Sequence, residues 1–206
     1  AAKGVENQTR KLFKVCVMRH IPIFTFINKL DRDSKNPFDL LSQIEDELGI
    51  ATCPMNWPIG NGIDFKGVYD RSSRHILSYT PNGGQKEVET VEAELGDPSL
   101  DALIGEANHR QLAEDIELLD GASDELDLEK VSKGELSPVF FGSALNNFGV
   151  EPFLEGFLKM APSPLPRQSD HGTVNPTDDN FTAFVFKIQA NMNKAHRDRL
   201  TFMRIC

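Results

Sequence analysis

Apolar residues recur every three or four positions in five stretches of the chain, and this spacing predicts amphipathic helices. The predicted helices cover residues 9–20, 37–48, 97–121, a stretch that begins at 123, and 150–160. Short apolar or alternating runs predict strands at residues 23–27, 65–69, 75–79, 139–141 and 181–188, with another short strand interrupted by Pro54 and Pro58. The strand–loop–helix order near the start of the chain, which returns after residue 136, predicts an α/β fold.

The segment between these two α/β stretches has a different pattern. Strand-like runs, turn residues at 81–84 and then acidic helices predict an inserted α+β subdomain. The run A-P-S-P-L-P after the last helix is stiff and extended, and the alternation of Phe184, Phe186 and Ile188 predicts core positions of a strand-rich unit. The predicted division is 1–56 and 136–166 for the α/β part, 57–135 for the acidic subdomain, 167–180 for a linker and 181–206 for the start of another domain.

One buried strand ends in a group of polar side chains. The apolar run at residues 23–27 is followed directly by Asn28, Lys29, Leu30 and Asp31. A nearly continuous apolar run is typical of a parallel strand covered on both faces. Ligands of open α/β sheets bind at the carboxyl ends of such strands. We therefore expect these side chains to face a small molecule.

The residue types of this group match the guanine-recognition motif Asn-Lys-x-Asp of GTPases. Guanine presents two adjacent donors, N1–H and the C2 amino group, and the carboxylate of Asp31 can accept from both. Adenine lacks that pair of donors, so it would leave the carboxylate unpaired. The stem of Lys29 can lie along the base, and the amide of Asn28 can tie the loop to its neighbours.

A second loop supports the same hypothesis. The predicted strand at 139–141 continues into Gly142, Ser143, Ala144 and Leu145, before another helix. Small residues allow backbone N–H groups to approach a ligand closely. We expect this loop to bring backbone N–H groups to the O6 atom of guanine.

Eight segments, in the same order along the chain, resemble the ribosomal translational GTPases, and most closely the branch that acts in termination. They are A-A-K-G-V-E (1–6), F-I-N-K-L-D-R-D (26–33), T-C-P-M-N-W-P-I-G (52–60), F-K-G-V-Y (65–69), P-V-F-F-G-S-A-L-N-N-F-G-V (138–150), A-P-S-P-L-P-R-Q (161–168), F-V-F-K-I-Q-A-N-M (184–192) and H-R-D-R-L-T-F-M-R (196–204). The long separation of the two loops resembles the large insertion of elongation factor G.

The resemblance implies the C-terminal half of a P-loop-type GTPase G domain, with the inserted subdomain, followed by the first strands of a β-barrel domain. It implies a cytoplasmic parent protein that binds GTP or GDP with Mg²⁺. Its implied partners are the ribosome, including the ribosomal stalk protein, and the codon-reading release factors that it recycles after termination. The implied base-binding residues are Asn28, Lys29, Leu30, Asp31, Ser143, Ala144 and Leu145.

The phosphate-binding motif of such enzymes is missing from the sequence. None of the fifteen glycines is followed by lysine, so the pattern G-x-x-x-x-G-K-[ST] does not occur. Two D-x-x-G matches, at 46–49 and 64–67, follow Asn-Lys-x-Asp, whereas the family's Mg²⁺-linked switch precedes it, and we interpret both as chance. The chain also begins without Met. We expect a central fragment that holds no catalytic residue and hydrolyses no GTP alone.

Charge is unevenly distributed along the chain, whose formal net charge is −9. Residues 86–135 carry 16 acidic and 4 basic side chains, whereas the remainder carries 15 acidic and 18 basic. Contacts with phosphates need Lys and Arg, so the acidic segment is expected to meet a protein, or simply to be a solvated face.

The composition excludes several other kinds of site. The three cysteines are far apart and form no C-x-x-C, which favours reduced thiols, and the histidines lack metal-ligand spacing. No apolar run approaches the roughly 18–20 residues of a membrane span. We expect neither a membrane nor DNA as a partner.

Two alternatives to the termination factor remain open. Within the same class, the parent could be an elongation-factor-G-like translocase or a ribosome-protection GTPase. In a different class, the chain could be a protein-interaction module that uses its acidic segment and binds no nucleotide usefully.

Overall fold

The computed structural model describes residues 1–82, 85–91, 93–190 and 199–206, and they form two compact units, Ala1–Ala161 and Pro162–Cys206. The helices are α1 Asn7–Met18, α2 Pro37–Leu48, α3 Ser99–Ile104, α4 Glu106–Ala122, α5 Leu128–Lys133 and α6 Val150–Met160. The strands are β1 Thr25–Ile27, β2 Ala51–Pro54, β3 Asn56–Ile59, β4 Gly67–Asp70, β5 His75–Asn82, β6 Gln85–Val91, β7 Leu136–Phe141, β8 Arg167–Ser169, β9 Gly172–Val174, β10 Ala183–Ala190 and β11 Arg199–Ile205.

A three-stranded parallel sheet in the order β1-β7-β2 carries the α/β part of the first unit. All six residues of the central strand β7 are buried, because successive side chains point to opposite faces and both faces are covered. On one face, Phe153 of α6 packs against the rings of Phe26 and Phe140 at centroid distances of 5.3 and 5.4 Å. On the other face, Phe141 packs against Trp57 at 5.2 Å. The predicted α/β character is confirmed.

Local capping explains why α2 has the predicted limits. The side chain of Asn36 accepts a hydrogen bond from the N–H of Phe38 at 2.9 Å, and Pro37 occupies the first helical position. Helix α6 also has the predicted limits, Val150–Met160. Helix α1 begins and ends two residues before its predicted limits. Its end is set by a turn at His20, which has a positive φ of 50°.

A four-stranded antiparallel sheet in the order β3-β4-β5-β6 follows β2. The sequence predicted no strand at β6, which is an edge strand with charged residues at positions 86, 87 and 89. Strand β5 also extends beyond the predicted 75–79, and pairs with β6 as far as Asn82 opposite Gln85. Gly83 and Gly84 of the predicted turn lie outside the described residues.

The acidic helices differ from the prediction in two places. The single helix expected over 97–121 is divided into α3 and α4 at Gly105, whose φ of 87° belongs to the left-handed region that favours glycine. The helix expected from Ser123 begins instead at Leu128, because Asp127 caps it by accepting from the N–H groups of Glu129 and Lys130 at 2.9 and 3.2 Å.

One hydrophobic core joins the parallel sheet to the antiparallel sheet and the acidic helices. Trp57, which is fully buried, lies 4.7 Å from Phe38 between ring centroids and donates from its indole nitrogen to Asp115 of α4 at 2.8 Å. The same core contains Leu41 of α2 and Leu112 of α4. The packing in the first unit therefore has no gap at the predicted subdomain boundary.

The second unit consists of two antiparallel hairpins, β8-β9 and β10-β11. The predicted linker at 167–180 therefore contains regular structure. Phe184, Phe186 and Ile188 are 64%, 60% and 62% exposed, so among the described residues the expected core stripe is not buried. A two-stranded hairpin offers no second layer against which either face can pack.

Among the described residues, no helix is both long enough and apolar enough to cross a membrane.

Candidate nucleotide-binding site

The two polar loops identified in the sequence meet at one edge of the parallel sheet. Ile27 at the end of β1 lies directly opposite Phe141 at the end of β7. Because the strands are parallel and adjacent, the loops that follow them leave the sheet side by side. The site is built from these two loops, residues 28–31 and 142–145.

The first loop is folded around the side chain of Asn28. Its amide oxygen accepts from the N–H of Lys29 at 2.7 Å and from the N–H of Ala144, in the second loop, at 2.9 Å. Lys29 has a φ of 72°, a left-handed conformation that non-glycine residues seldom adopt and that occurs often at functional sites. Leu30 is fully buried and donates to the carbonyl of Gly142 at 3.2 Å. Asn28 and Leu30 thus fix the first loop to the second, and Lys29 stays exposed.

Asp31 is held by the second loop as well. Its Oδ1 atom accepts from the hydroxyl of Ser143 at 2.5 Å, and its Oδ2 atom lies 3.9 Å from Nε of Arg32. The side chain is 17% exposed. An ionised carboxylate offers about four lone-pair positions, so these contacts leave acceptors on both oxygens. The arrangement can pair with two adjacent donors on a ligand.

The second loop is a tight reversal that buries Ser143. Ser143 and Phe148 exchange two backbone hydrogen bonds, both 2.9 Å long. A Cβ atom on Gly142 would lie 2.3 Å from the carbonyl oxygen of Phe148 and 2.8 Å from the ring of Phe26. Only glycine fits at that close approach, so Gly142 is required for the loop that places the hydroxyl of Ser143 against Asp31.

All seven predicted base-binding residues thus lie on the two adjoining loops. Ala144 and Leu145 are exposed, with Leu145 78% exposed, and both lie in the short 3₁₀ turn Ala144–Asn146. One detail differs from the expectation for guanine O6. The N–H of Ala144 already donates to Asn28, so it is engaged within the protein.

Two residues outside the predicted set also hold the first loop and the end of β7 that leads into the second. The side-chain amide of Asn56 bonds to the backbone of Phe141, and the N–H of Gly62 donates to the carbonyl of Leu30 at 2.8 Å. Their partners lie far away in sequence, so no local pattern could have identified them. The only available signal was an amide side chain at Asn56 between residues of apolar character.

The described residues contain no group of three or more His, Cys, Asp or Glu side chains that could hold a metal ion. The donor set at the two loops, one carboxylate with an amide and a hydroxyl, suits an organic ligand with hydrogen-bond donors.

Comparison with known proteins finds relatives that match the whole chain. Residues 1–163 match the family described as the elongation factor Tu GTP binding domain. The chain is 58% identical, over its whole length, to the peptide chain release factor 3 of Symbiobacterium thermophilum, of which it covers 39%. It is 53% and 52% identical to the proteins of the same name from Trichodesmium erythraeum and a Cyanothece species, and covers 38% of each. The chain thus spans about two fifths of the length of these relatives.

Proposed function

This chain belongs to the family of elongation factor Tu GTP-binding domains, and from that membership we propose that its two loops bind the guanine base of GTP and GDP. The observation that carries the proposal is the contact between the loops, in which Ser143 donates to Asp31 at 2.5 Å. That bond holds a carboxylate with unused lone pairs beyond the carboxyl ends of β1 and β7, which is where ligands of α/β folds bind.

In the proposed complex, Asp31 accepts from N1–H and the C2 amino group of guanine. The exposed stem of Lys29 and the exposed side chain of Leu145 cover the two faces of the base. The backbone N–H of Leu145 faces O6, since those of Ser143 and Ala144 already donate to Phe148 and Asn28. Asn28 holds the loops together through its amide oxygen, which accepts from Lys29 and Ala144, and its amide nitrogen can donate to the base.

The parent protein is proposed to be a ribosome-associated GTPase of translation termination. It would use GTP binding and hydrolysis to recycle codon-reading release factors. The names of the relatives support this choice over a translocase or a ribosome-protection GTPase. The cytoplasm, where ribosomes work, is its proposed location.

The parts of the chain are assigned by the same reasoning. Residues 1–56 and 136–166 would form the later half of the G domain, 57–135 the inserted acidic subdomain, and 181–206 the start of a β-barrel domain. The acidic surface suits a protein partner such as the ribosomal stalk protein better than RNA. The groups that bind the phosphates and Mg²⁺ would lie in a part of the parent outside this sequence, because no G-x-x-x-x-G-K-[ST] occurs in it.

The test uses the full-length protein that carries this chain and ribosomes loaded with a fluorescent codon-reading release factor. Dissociation of that factor is followed after addition of GTP, ATP or buffer. We expect GTP to accelerate dissociation and ATP to have no effect. Translocation of messenger RNA in place of factor release would favour the elongation-factor-G-like alternative. Equal release with all three additions would favour an interaction module without useful nucleotide binding.

A further inference from the structure

The end of strand β7 is held by a buried side chain from another sheet. Asn56, at the start of β3, is only 2% exposed. Its Oδ1 atom accepts from the N–H of Phe141 at 2.7 Å, and its Nδ2 atom donates to the carbonyl of the same residue at 3.1 Å. Both halves of the amide are therefore bonded to one backbone residue.

This amide continues a ladder of hydrogen bonds that the strands themselves do not complete. Strand β2 pairs with β7 only as far as Pro54 opposite Val139, and the N–H of Met55 then donates to the carbonyl of Val139 at 2.8 Å. Phe141 is the next residue of β7 whose backbone groups point to that side. It is fully buried, and buried backbone groups need partners. Asn56 supplies both the donor and the acceptor that another strand residue would have supplied.

The residue after Phe141 points to the opposite side of the strand, toward β1. The N–H of Gly142 donates to Ile27 at 3.1 Å, and its carbonyl accepts from Leu30 at 3.2 Å. Ser143, which bonds Asp31, comes next. The carboxyl end of β7 is thus fixed from β1 on one side and by Asn56 on the other, immediately before the loop that orients the carboxylate.

We propose that Asn56 is a positioning residue for guanine recognition, acting through Phe141, Gly142 and Ser143 on Asp31. The inference rests on the proposed function and adds to it a residue from outside both loops. Without the amide, the buried groups of Phe141 must find water or shift, and the strand end moves relative to β1. Asp31 would then lose its alignment with the C2 amino group of the base.

The contact between Gly62 and Leu30 supports this inference. Gly62 lies six residues after Asn56 in the same segment of the chain. Its N–H donates to the carbonyl of Leu30, in the first loop, at 2.8 Å. Residues 56–62 therefore contact the first loop through a backbone bond and, through a side chain, the end of β7 that leads into the second loop. Guanine recognition depends on the segment 56–62 as well as on the two loops.

The experiment compares GDP with IDP, whose hypoxanthine base keeps N1–H and lacks the C2 amino group. Dissociation constants are measured by competition in the full-length protein, for the wild type and for Asn56→Ala. We expect the preference for GDP over IDP to fall by about tenfold, because the hydrogen bond from the C2 amino group of guanine to the charged carboxylate of Asp31 loses its alignment. Asn56→Gln, which restores an amide, should recover part of the preference.

Ser137→Ala is the matched control, because Ser137 is a fully buried residue near the other end of β7. Its hydroxyl bonds that of Thr25 at 2.8 Å, away from the loops. This variant should lose stability and keep the base preference. If Asn56→Ala does not fold, Asn56→Ser takes its place, since a shorter polar side chain leaves room for a water that pairs with Phe141.

The outcomes separate the inference from the proposed function. A folded Asn56 variant with the wild-type ratio of GDP to IDP affinity would overturn the positioning role, even if both affinities fell equally. A wild-type protein that binds GDP and IDP alike would overturn guanine recognition by Asp31 itself.

Discussion

The substitution Asp31→Asn gives the sharpest test of the base site. The aspartate offers only acceptors, and guanine presents two donors to it. Asparagine offers one donor and one acceptor, so one donor of guanine then faces a donor. Xanthine carries a carbonyl where guanine has the C2 amino group, and it suits the asparagine, whose donor meets that carbonyl while its acceptor meets N1–H.

The structure explains why this substitution should alter base choice without breaking the loop. The hydroxyl of Ser143 can donate to the amide oxygen of the new asparagine or accept from its amide nitrogen, so the contact at 2.5 Å survives in either orientation. The cost for guanine is that of one unpaired polar contact, about 1–3 kcal/mol. We therefore expect a roughly five- to hundred-fold loss for guanine nucleotides, and a comparable gain for xanthine nucleotides.

Competition of GTP and xanthosine triphosphate against one fluorescent nucleotide measures both effects in the full-length protein. Asp33→Asn is the matched control, because this carboxylate is exposed two residues further along the chain and lies outside the motif. It should leave both affinities unchanged. If Asp31→Asn weakens both bases equally, or neither, Asp31 does not face the base and the proposed site is wrong.

Three further predictions concern the rest of the chain. The isolated chain should bind GTP and GDP more weakly than micromolar, about −8 kcal/mol, because phosphate and Mg²⁺ contacts supply much of the affinity; submicromolar binding by calorimetry would contradict this. Glu114→Lys with Glu117→Lys, both exposed on α4, should slow ribosome-stimulated GTP turnover at low salt and spare intrinsic hydrolysis; unchanged stimulation would favour a solvated face. The pKa of His109 is raised, first by its bond to the carbonyl of Leu95 and then by its bond to Asp101. The stability that the protonated imidazole gives the folded protein should be complete below about pH 6.5 and lost as the pH rises through the higher folded pKa. The melting temperatures of the wild type and of His109→Asn should therefore converge at alkaline pH.

The choice of substitutions in the acidic segment follows from the contacts of its side chains. Asp120 is also acidic and on α4, but it pairs with Arg71 at 2.9 Å, and Arg71 in turn donates to the carbonyl of Pro54 at 2.8 Å. Reversing that charge would disturb the packing of α4 on the strands. Glu114 and Glu117 are free of this complication, since the structure records no ion pair for either.

Features of the molecule that depend on neighbouring residues could be predicted from the sequence. The motif at 28–31, the capping of α2 by Asn36 and the limits of α6 are all set within a few positions, and all three lie where the sequence places them. The break at Gly105 also had a local signal, a glycine inside a helical pattern, which the apolar spacing on both sides outweighed.

Features that depend on distant partners could not be predicted. Strand β6 has few apolar residues and exists because β5 offers it a complete hydrogen-bonding edge. The contact of Asn56 depends on a residue 85 positions away, and its amide between two apolar residues does not indicate that the partner is the backbone of Phe141. The inserted segment was therefore predicted less accurately than the strands that carry the loops.

The register of two strands decides whether the base site exists at all. Asp31 and Ser143 are 112 residues apart in sequence, and they meet only because Ile27 lies opposite Phe141. A slip of one residue would move the loops by about 3.3 Å relative to each other, which is more than the 2.5 Å bond tolerates. It would also exchange the faces of Phe140 and Phe141, taking one ring from Phe153 and the other from Trp57. The aromatic packing on the two faces of β7 thus fixes the register, and the register brings the carboxylate of Asp31 to the hydroxyl that orients it.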